Sequence, residues 1–186
     1  MREEKQEDLS WSLKRELYFW LGTAAAVLTA LILIFTFLGR IIVVDGISML
    51  PTLEGGNLLL LQSVGYTPRQ GDIVVLTKEF EDADGPIVKR VIATGGQRVV
   101  IDYAAGTVTV DGEVLDEPYI NEAMVRPMGE SLTDVEVPEG SIFVMGDNRN
   151  YSSDSRNVTL GAVDERYLLG KAVWVLFPLR NFGPAG

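Results

Sequence analysis

Hydrophobic and polar positions divide the chain into two textures. Residues 17–39 carry no charged side chain, whereas the following residues alternate in short runs broken by glycine, proline and aspartate. At about 1.5 Å rise per residue, the first stretch spans roughly 34 Å as a helix, enough to cross a ~30 Å hydrocarbon core. It is longer than the apolar part of a cleaved leader, and no small-x-small site follows at residues 41–44, so an uncleaved transmembrane anchor is expected at 17–39. Trp11, Tyr18 and Trp20 mark its N-terminal end, where an aromatic belt would lie. Residues 1–16 are charged with mixed sign. Within them, 9–16 predict either a short amphipathic helix on a membrane surface or a solvated tail.

From residue 41 onward the texture is β. Short apolar runs at 41–44, 57–62, 72–77, 86–94, 99–102, 107–110, 113–115, 141–145 and 172–177 predict strands. Only 163–169 has helical character. Residues 78–86 predict an acidic loop, and 121–137, with Pro127 and Gly129, another. The expected architecture is therefore mainly β: one N-terminal transmembrane helix, then an antiparallel β-sheet domain over 41–186 with a small extra lobe near 97–140. The arm at 113–121 predicts an ordinary hairpin.

Charge and composition narrow the function. The net charge of −10 lies wholly after residue 40, because residues 1–40 hold equal numbers of Lys/Arg and Asp/Glu. An acidic domain lacks the basic surface that nucleic acid or anionic lipid would require, so no nucleic-acid partner is expected. Cysteine and histidine are both absent. Disulfides, thiol chemistry, histidine-ligated metals and a Ser-His-Asp triad are excluded, and no metal or cofactor is expected. A hydrolytic serine here would need another base, and lysine is the usual substitute. Arg2, Lys5, Lys14 and Arg15 precede the apolar stretch, while Arg40 alone follows before Arg69. The positive-inside rule thus predicts a cytoplasmic 1–16 and an exoplasmic 41–186.

Three segments carry chemistry-bearing residues. Ser48 lies between Gly46 and Pro51 just past the anchor, and Pro51 biases Leu50 away from helix, so an ordered, extended backbone presenting one hydroxyl is expected. In the strand at 86–94, Lys89 and Arg90 are adjacent cations that alternation puts on opposite faces. Either both emerge at a sheet edge, or one is forced against an apolar face. A lysine desolvated there has a lowered pKa, and its neutral amine can take a proton from a serine. The stretch 146–156 is dense in amides, hydroxyls and paired charges, either as a solvated turn or as a network in which Asp154 pairs with Arg156. The sequons at Asn150 and Asn157 fall within or beside this loop and are read as chance matches.

Taken together, Ser48-Met49-Leu50-Pro51-Thr52, Lys89-Arg90-Val91-Ile92 and Gly146-Asp147-Asn148-Arg149 with Ser152, Asp154, Ser155 and Arg156 resemble the bacterial type I signal peptidases. Asp116-Glu117-Pro118-Tyr119-Ile120 and Gly170-Lys171-Ala172 are similar to that family too. The resemblance covers about residues 15–180. It implies a membrane-bound serine endopeptidase that removes signal peptides from exported preproteins, with small residues preferred at −1 and −3. It further implies Ser48 as nucleophile, Lys89 as general base and Ser152 as the hydroxyl orienting the amine. Asp154 and Arg156 would form an ion pair beside the site, with Asp147, Asn148 and Arg149 shaping the loop. The Ser48 N–H would supply an oxyanion donor. Some relatives carry a second donor on a serine two positions earlier; this chain has Gly46 there. Ile47, Met49, Leu50 and Leu53 are expected as pocket walls or an apolar rim, or else as ordinary core. Expected partners are signal peptides, bound as an added strand, and membrane lipid. Two rivals are an anchored, non-catalytic protein-binding module and a self-cleaving Ser/Lys repressor. The first leaves the three segments unexplained, and the second lacks an anchor.

Overall fold

A computed structural model describes residues 2–37, 39–78, 85–125, 127 and 129–186, with helix side chains described over 14–32. The chain divides into two compact units, Met1–Gly39 and Arg40–Gly186. The first is a single helix, α1 (Arg2–Phe37). It runs unbroken through the charged tail, so residues 9–16, read as either a short amphipathic helix or a solvated tail, are part of it. Within it, Lys14–Ile32 is long and apolar enough to cross a membrane. Leu17, Phe19, Leu21, Val27, Leu28 and Ile32 are all more than half exposed. The two threonine hydroxyls fold back onto their own helix: Thr23 Oγ1 donates to the Phe19 carbonyl at 2.9 Å and Thr29 Oγ1 to that of Ala25 at 2.8 Å. An apolar surrounding demands such internal satisfaction.

The second unit is mainly β. Its strands are β1 (Gly39–Val43), β2 (Leu58–Gln62), β3 (Ile73–Leu76), β4 (Ile87–Thr94), β5 (Arg98–Asp102), β6 (Thr107–Val110), β7 (Glu113–Val114), β8 (Asp134–Glu136), β9 (Ser141–Met145), β10 (Val163–Asp164), β11 (Leu168–Phe177) and β12 (Gly183–Pro184). They form an eight-stranded sheet in the order β1-β2-β11-β3-β4-β9-β10, with β12 beside β11, and a four-stranded sheet in the order β7-β6-β5-β8. β3, β4, β9 and β11 run antiparallel to their neighbours.

Side-chain alternation explains why the large sheet is buried on both faces. Ile73 and Val75 of β3 pack with Met49, Leu53, Leu59, Leu61 and Val175, whereas Val74 and Leu76 pack with Val91, Ile142, Val144 and Val163. β9 divides likewise: Phe143 and Met145 turn away from that second cluster to join Val99, Ile101, Val108 and Val110 of the small sheet. Each such side chain stabilises by about 1.5–3 kcal/mol when fully buried. By contrast, β5 exposes Arg98, Val100 and Asp102 and buries only Val99 and Ile101. A bulge between Val91 and Ala93 breaks the β4–β9 register, the kind of device that bends a strand beside a site.

Two expectations fail here. The stretch 163–169 is strand apart from one 3₁₀ turn, Glu165–Tyr167, whose first residue follows Asp164. Asp164 accepts from Arg166 N and caps that turn, so its polar residues serve the cap rather than a longer helix. The supposed loop 121–137 contains β8, because Val135 pairs with Val99 and completes the small sheet. The acidic stretch 78–86 lies, over 79–84, outside the described residues.

Candidate active site

Ser48 sits on tight turns, not on the extended backbone expected. Leu50 N–H donates to the Ile47 carbonyl at 3.2 Å, and Leu53 N–H to that of Met49 at 2.9 Å. Gly46, with φ of +80°, starts the reversal in a region that disfavours side chains. The core decides this geometry. Met49 and Leu53 are each 1% exposed, and burying both requires the chain to curl between them. They are therefore core residues, not pocket walls. Ile47 is 54% exposed and Leu50 half-buried. Ser48 is left half-buried at the tip of the turn.

β4 lies between β3 and β9, so its cations do not emerge at a sheet edge. Lys89 pairs in register with Val74, and Arg90 with Ile73 and Met145. Both are buried, at 4% and 5% exposure. Neither emerges to solvent, and the two are handled differently. Arg90 Nε and Nη2 donate to the Asp147 carboxylate at 2.8 and 2.7 Å, Nη1 donates to the Gly71 carbonyl at 2.8 Å, and the guanidinium lies 4.0 Å from the Tyr119 ring centroid. Fork geometry, two carboxylate bonds and an aromatic face keep that charge in place.

Lys89 has no ion-pair partner among the described residues. Its Nζ donates to Ser48 Oγ at 2.7 Å. Burial is the largest influence on this amine and lowers its pKa from 10.5 to about 8. Asp154 and Asp147 pull it back up, while Arg156 pushes it further down. A buried amine with a lowered pKa, in contact with a serine hydroxyl, is the arrangement that base-assisted nucleophilic chemistry requires.

The loop after β9 is a buried network rather than a solvated turn. Asp154, 1% exposed, accepts from Gly146 N–H at 2.9 Å, Ser152 Oγ at 2.7 Å, and Arg156 Nε and Nη2 at 2.8 Å each. Burial pushes the Asp154 carboxyl up, but Arg156 and these donors outweigh it and hold the group below the usual carboxylate range. Ser152 thus spends its hydroxyl proton on Asp154, not on Lys89. Its link to the amine runs through Asp154, whose charge acts on Lys89. Asn148 N–H donates to the Ser48 carbonyl at 3.0 Å, and Asn148 Nδ2 to that of Ile47 at 3.1 Å, tying this loop to the serine turn. Thr52 Oγ1 closes the circuit onto Asp147 Oδ2 at 2.5 Å.

Sequence reasoning quoted several further residues of this site only within motifs and gave them no role. Gly146 is one: a Cβ there would collide with Ser152 Oγ and with the Ser48 carbonyl. No other residue fits where two loops meet so closely. Arg90, Thr52, Glu117 and Tyr119 are others. Arg90 carried a signal, being a second cation in an apolar strand. Glu117 and Tyr119 carried none beyond their place in a segment similar to the family's.

The chain is similar to known proteins over most of its length. Residues 17–177 match the family model described as signal peptidase, peptidase S26. The probable signal peptidase I-1 of Synechocystis is 39% identical over 171 residues, 87% of this chain and 82% of that protein. The signal peptidase I of Bacillus licheniformis is 35% identical over 184 residues, covering 94% and 96% of the two chains. Among solved structures, a signal peptidase I from Enterococcus faecalis aligns with a TM-score of 0.44 and 27% identity, over 60% of this chain and 98% of that one. A match across most of the chain, to relatives that are nearly coextensive with it, means that this chain belongs to the signal peptidase family, peptidase S26.

Proposed function

We propose that this signal peptidase cleaves preproteins with a Ser48/Lys89 dyad. The observation that carries this reading is the 2.7 Å contact between Lys89 Nζ and Ser48 Oγ, with the lysine 4% exposed. In its neutral form Lys89 accepts the Ser48 proton while Oγ attacks the scissile carbonyl carbon. The tetrahedral oxyanion is met by the Ser48 N–H. Collapse breaks the C–N bond, and the Lys89 ammonium gives its proton to the departing amine. The neutral lysine then deprotonates a water, which hydrolyses the acyl-enzyme and restores the serine. Asp154, Arg156 and Ser152 hold the loop beside the amine, and Asp147, Asn148 and Arg149 fix its first turn.

The substrate is the extended segment that follows a signal peptide's apolar core, bound as an added strand with small side chains at −1 and −3. Ile47 and Leu50 are the rim residues left for contact with substrate or lipid. The apolar part of α1 anchors the enzyme in a membrane, with residues 1–16 cytoplasmic and 41–186 exoplasmic, as the excess of Lys/Arg before the span supports. Cleavage of an Ala-x-Ala preprotein by the full chain in detergent tests the reading. Ser48→Ala and Lys89→Ala should each abolish cleavage without unfolding, and the double variant should be hardly worse than either. Substantial turnover by folded Lys89→Ala protein would exclude lysine as the base. Protease added outside intact cells should reach residues 41–186; full protection until lysis would reverse the orientation.

A further inference from the structure

The arm that leaves β7 runs over the loop that follows β9, and its contacts there are charged and buried. The Glu117 carboxylate, 6% exposed, accepts from Arg149 Nη1 at 2.8 Å, from Arg149 Nη2, and from Tyr119 Oη at 3.0 Å. Arg149, 1% exposed, sends its remaining donor, Nε, to the Gly146 carbonyl at 3.2 Å. The Tyr119 ring lies against Arg90, and Asn121 N–H donates to the Asp147 carbonyl at 3.1 Å. Three residues of one arm thus hold Arg90, Asp147 and Arg149 at once and, through Arg149, Gly146.

We propose that Glu117 is a positioning residue for the dyad, acting through Arg149 on Gly146; this rests on the Ser48/Lys89 reading. Stability alone does not call for a carboxylate at this place. Burying both charges costs much of what their attraction returns, and a well-packed apolar pair commonly does as well. An ion pair adds direction. Two parallel bonds to one carboxylate fix the guanidinium plane, and that plane aims Nε at the Gly146 carbonyl. Gly146 needs such a pin. It has no side chain to hold its peptide, because Ser152 and the Ser48 carbonyl occupy the space. Its N–H meets Asp154, which bonds Ser152 and acts on the charge of Lys89. If Gly146 shifts, Asp154 and the Asn148–Ser48 link shift with it. A displacement of about 1 Å between reacting groups costs on the order of 100-fold in rate. Water admitted by a loosened loop also relieves the desolvation that lowers the Lys89 pKa.

The test uses the full chain in detergent, an Ala-x-Ala preprotein, and kcat, KM and melting temperature measured across the pH range that spans the Lys89 titration. Glu117→Gln is expected to lower kcat by about 10- to 100-fold with KM nearly unchanged. The midpoint of its rising pH–rate limb should move from about 8 toward 10.5. The double variant Glu117→Met/Arg149→Met should regain melting temperature but not kcat. It also decides the matter if Glu117→Gln does not fold. Glu113→Gln, exposed on β7, should behave as wild type. Wild-type kcat and midpoint in Glu117→Gln, or recovery of kcat together with stability in the double variant, would reduce Glu117 to a staple and overturn the inference. Cleavage by Ser48→Ala equal to wild type would instead overturn the dyad reading.

Discussion

The two sheets of Arg40–Gly186 use the same kind of ion pair in opposite ways. In the small sheet Arg98 and Asp134 form a bidentate pair at 2.8 and 2.5 Å with side chains 64% and 50% exposed. Beside the large sheet Arg90–Asp147 and Arg156–Asp154 have equally good geometry with side chains no more than 6% exposed. Geometry alone would rank the three as equals. Burial separates them: the exposed pair is screened by water and holds little, whereas each buried charge must keep its partner or destabilise the fold. The region that buries its charges is the one that holds Ser48 and Lys89. There the arginines are paired, and Lys89, with no ion-pair partner among the described residues, has its pKa lowered by burial. Neighbouring cations are thus treated unequally, and the flanking ion pairs are the means.

Loss of the unpaired lysine should have the largest effect. Lys89→Ala and Ser48→Ala are expected to lower kcat on the order of 10⁴-fold or more while circular dichroism stays native. Loss of a buried partner comes next. Asp154→Ala strands Arg156, and Asp147→Ala strands Arg90; each should cost about 3–5 kcal/mol in urea unfolding as well as activity. A solvated loop would instead leave both within ~0.5 kcal/mol of wild type.

The pH dependence follows from Lys89. Its folded pKa of about 8 lies below its unfolded value of 10.5, so the unfolded chain binds the extra proton between those values. Unfolding free energy should therefore rise with pH from about 8 to 10.5, by roughly 3 kcal/mol from this group, and this rise should be missing in Lys89→Met. Over the same limb kcat/KM should climb to a plateau with its midpoint near 8, because only the neutral amine accepts a proton. A limb without inflection until the range of a free lysine would contradict the buried amine. The smallest effect belongs to the small sheet: Arg98→Ala should leave both kcat and melting temperature indistinguishable from wild type, and a clear loss of either would erase the contrast between the two regions.

The sequence by itself determined the elements whose signal is local. An uncharged run of 23 residues marked the N-terminal helix, and alternation with glycine punctuation marked nine of the twelve strands among the described residues. The absence of histidine and cysteine left lysine as the base available to a serine. The short strands β8, β10 and β12 escaped because two or three residues carry no period, and their pairing comes from partners distant in sequence. Tertiary structure alone decided that Met49 and Leu53 are core, because what buries them arrives from β2, β3 and β11. It also decided that Lys89 and Arg90 are both buried, since only the sheet order puts β4 between two neighbours. Glu117 was hidden most completely. Arg149, its partner, lies 32 residues away, and a glutamate in a short arm looks solvated until a buried guanidinium is folded against it. Local sequence specifies conformation through short-range sterics and periodicity, whereas burial and charge pairing depend on contacts between remote segments, which form only when the sheets assemble.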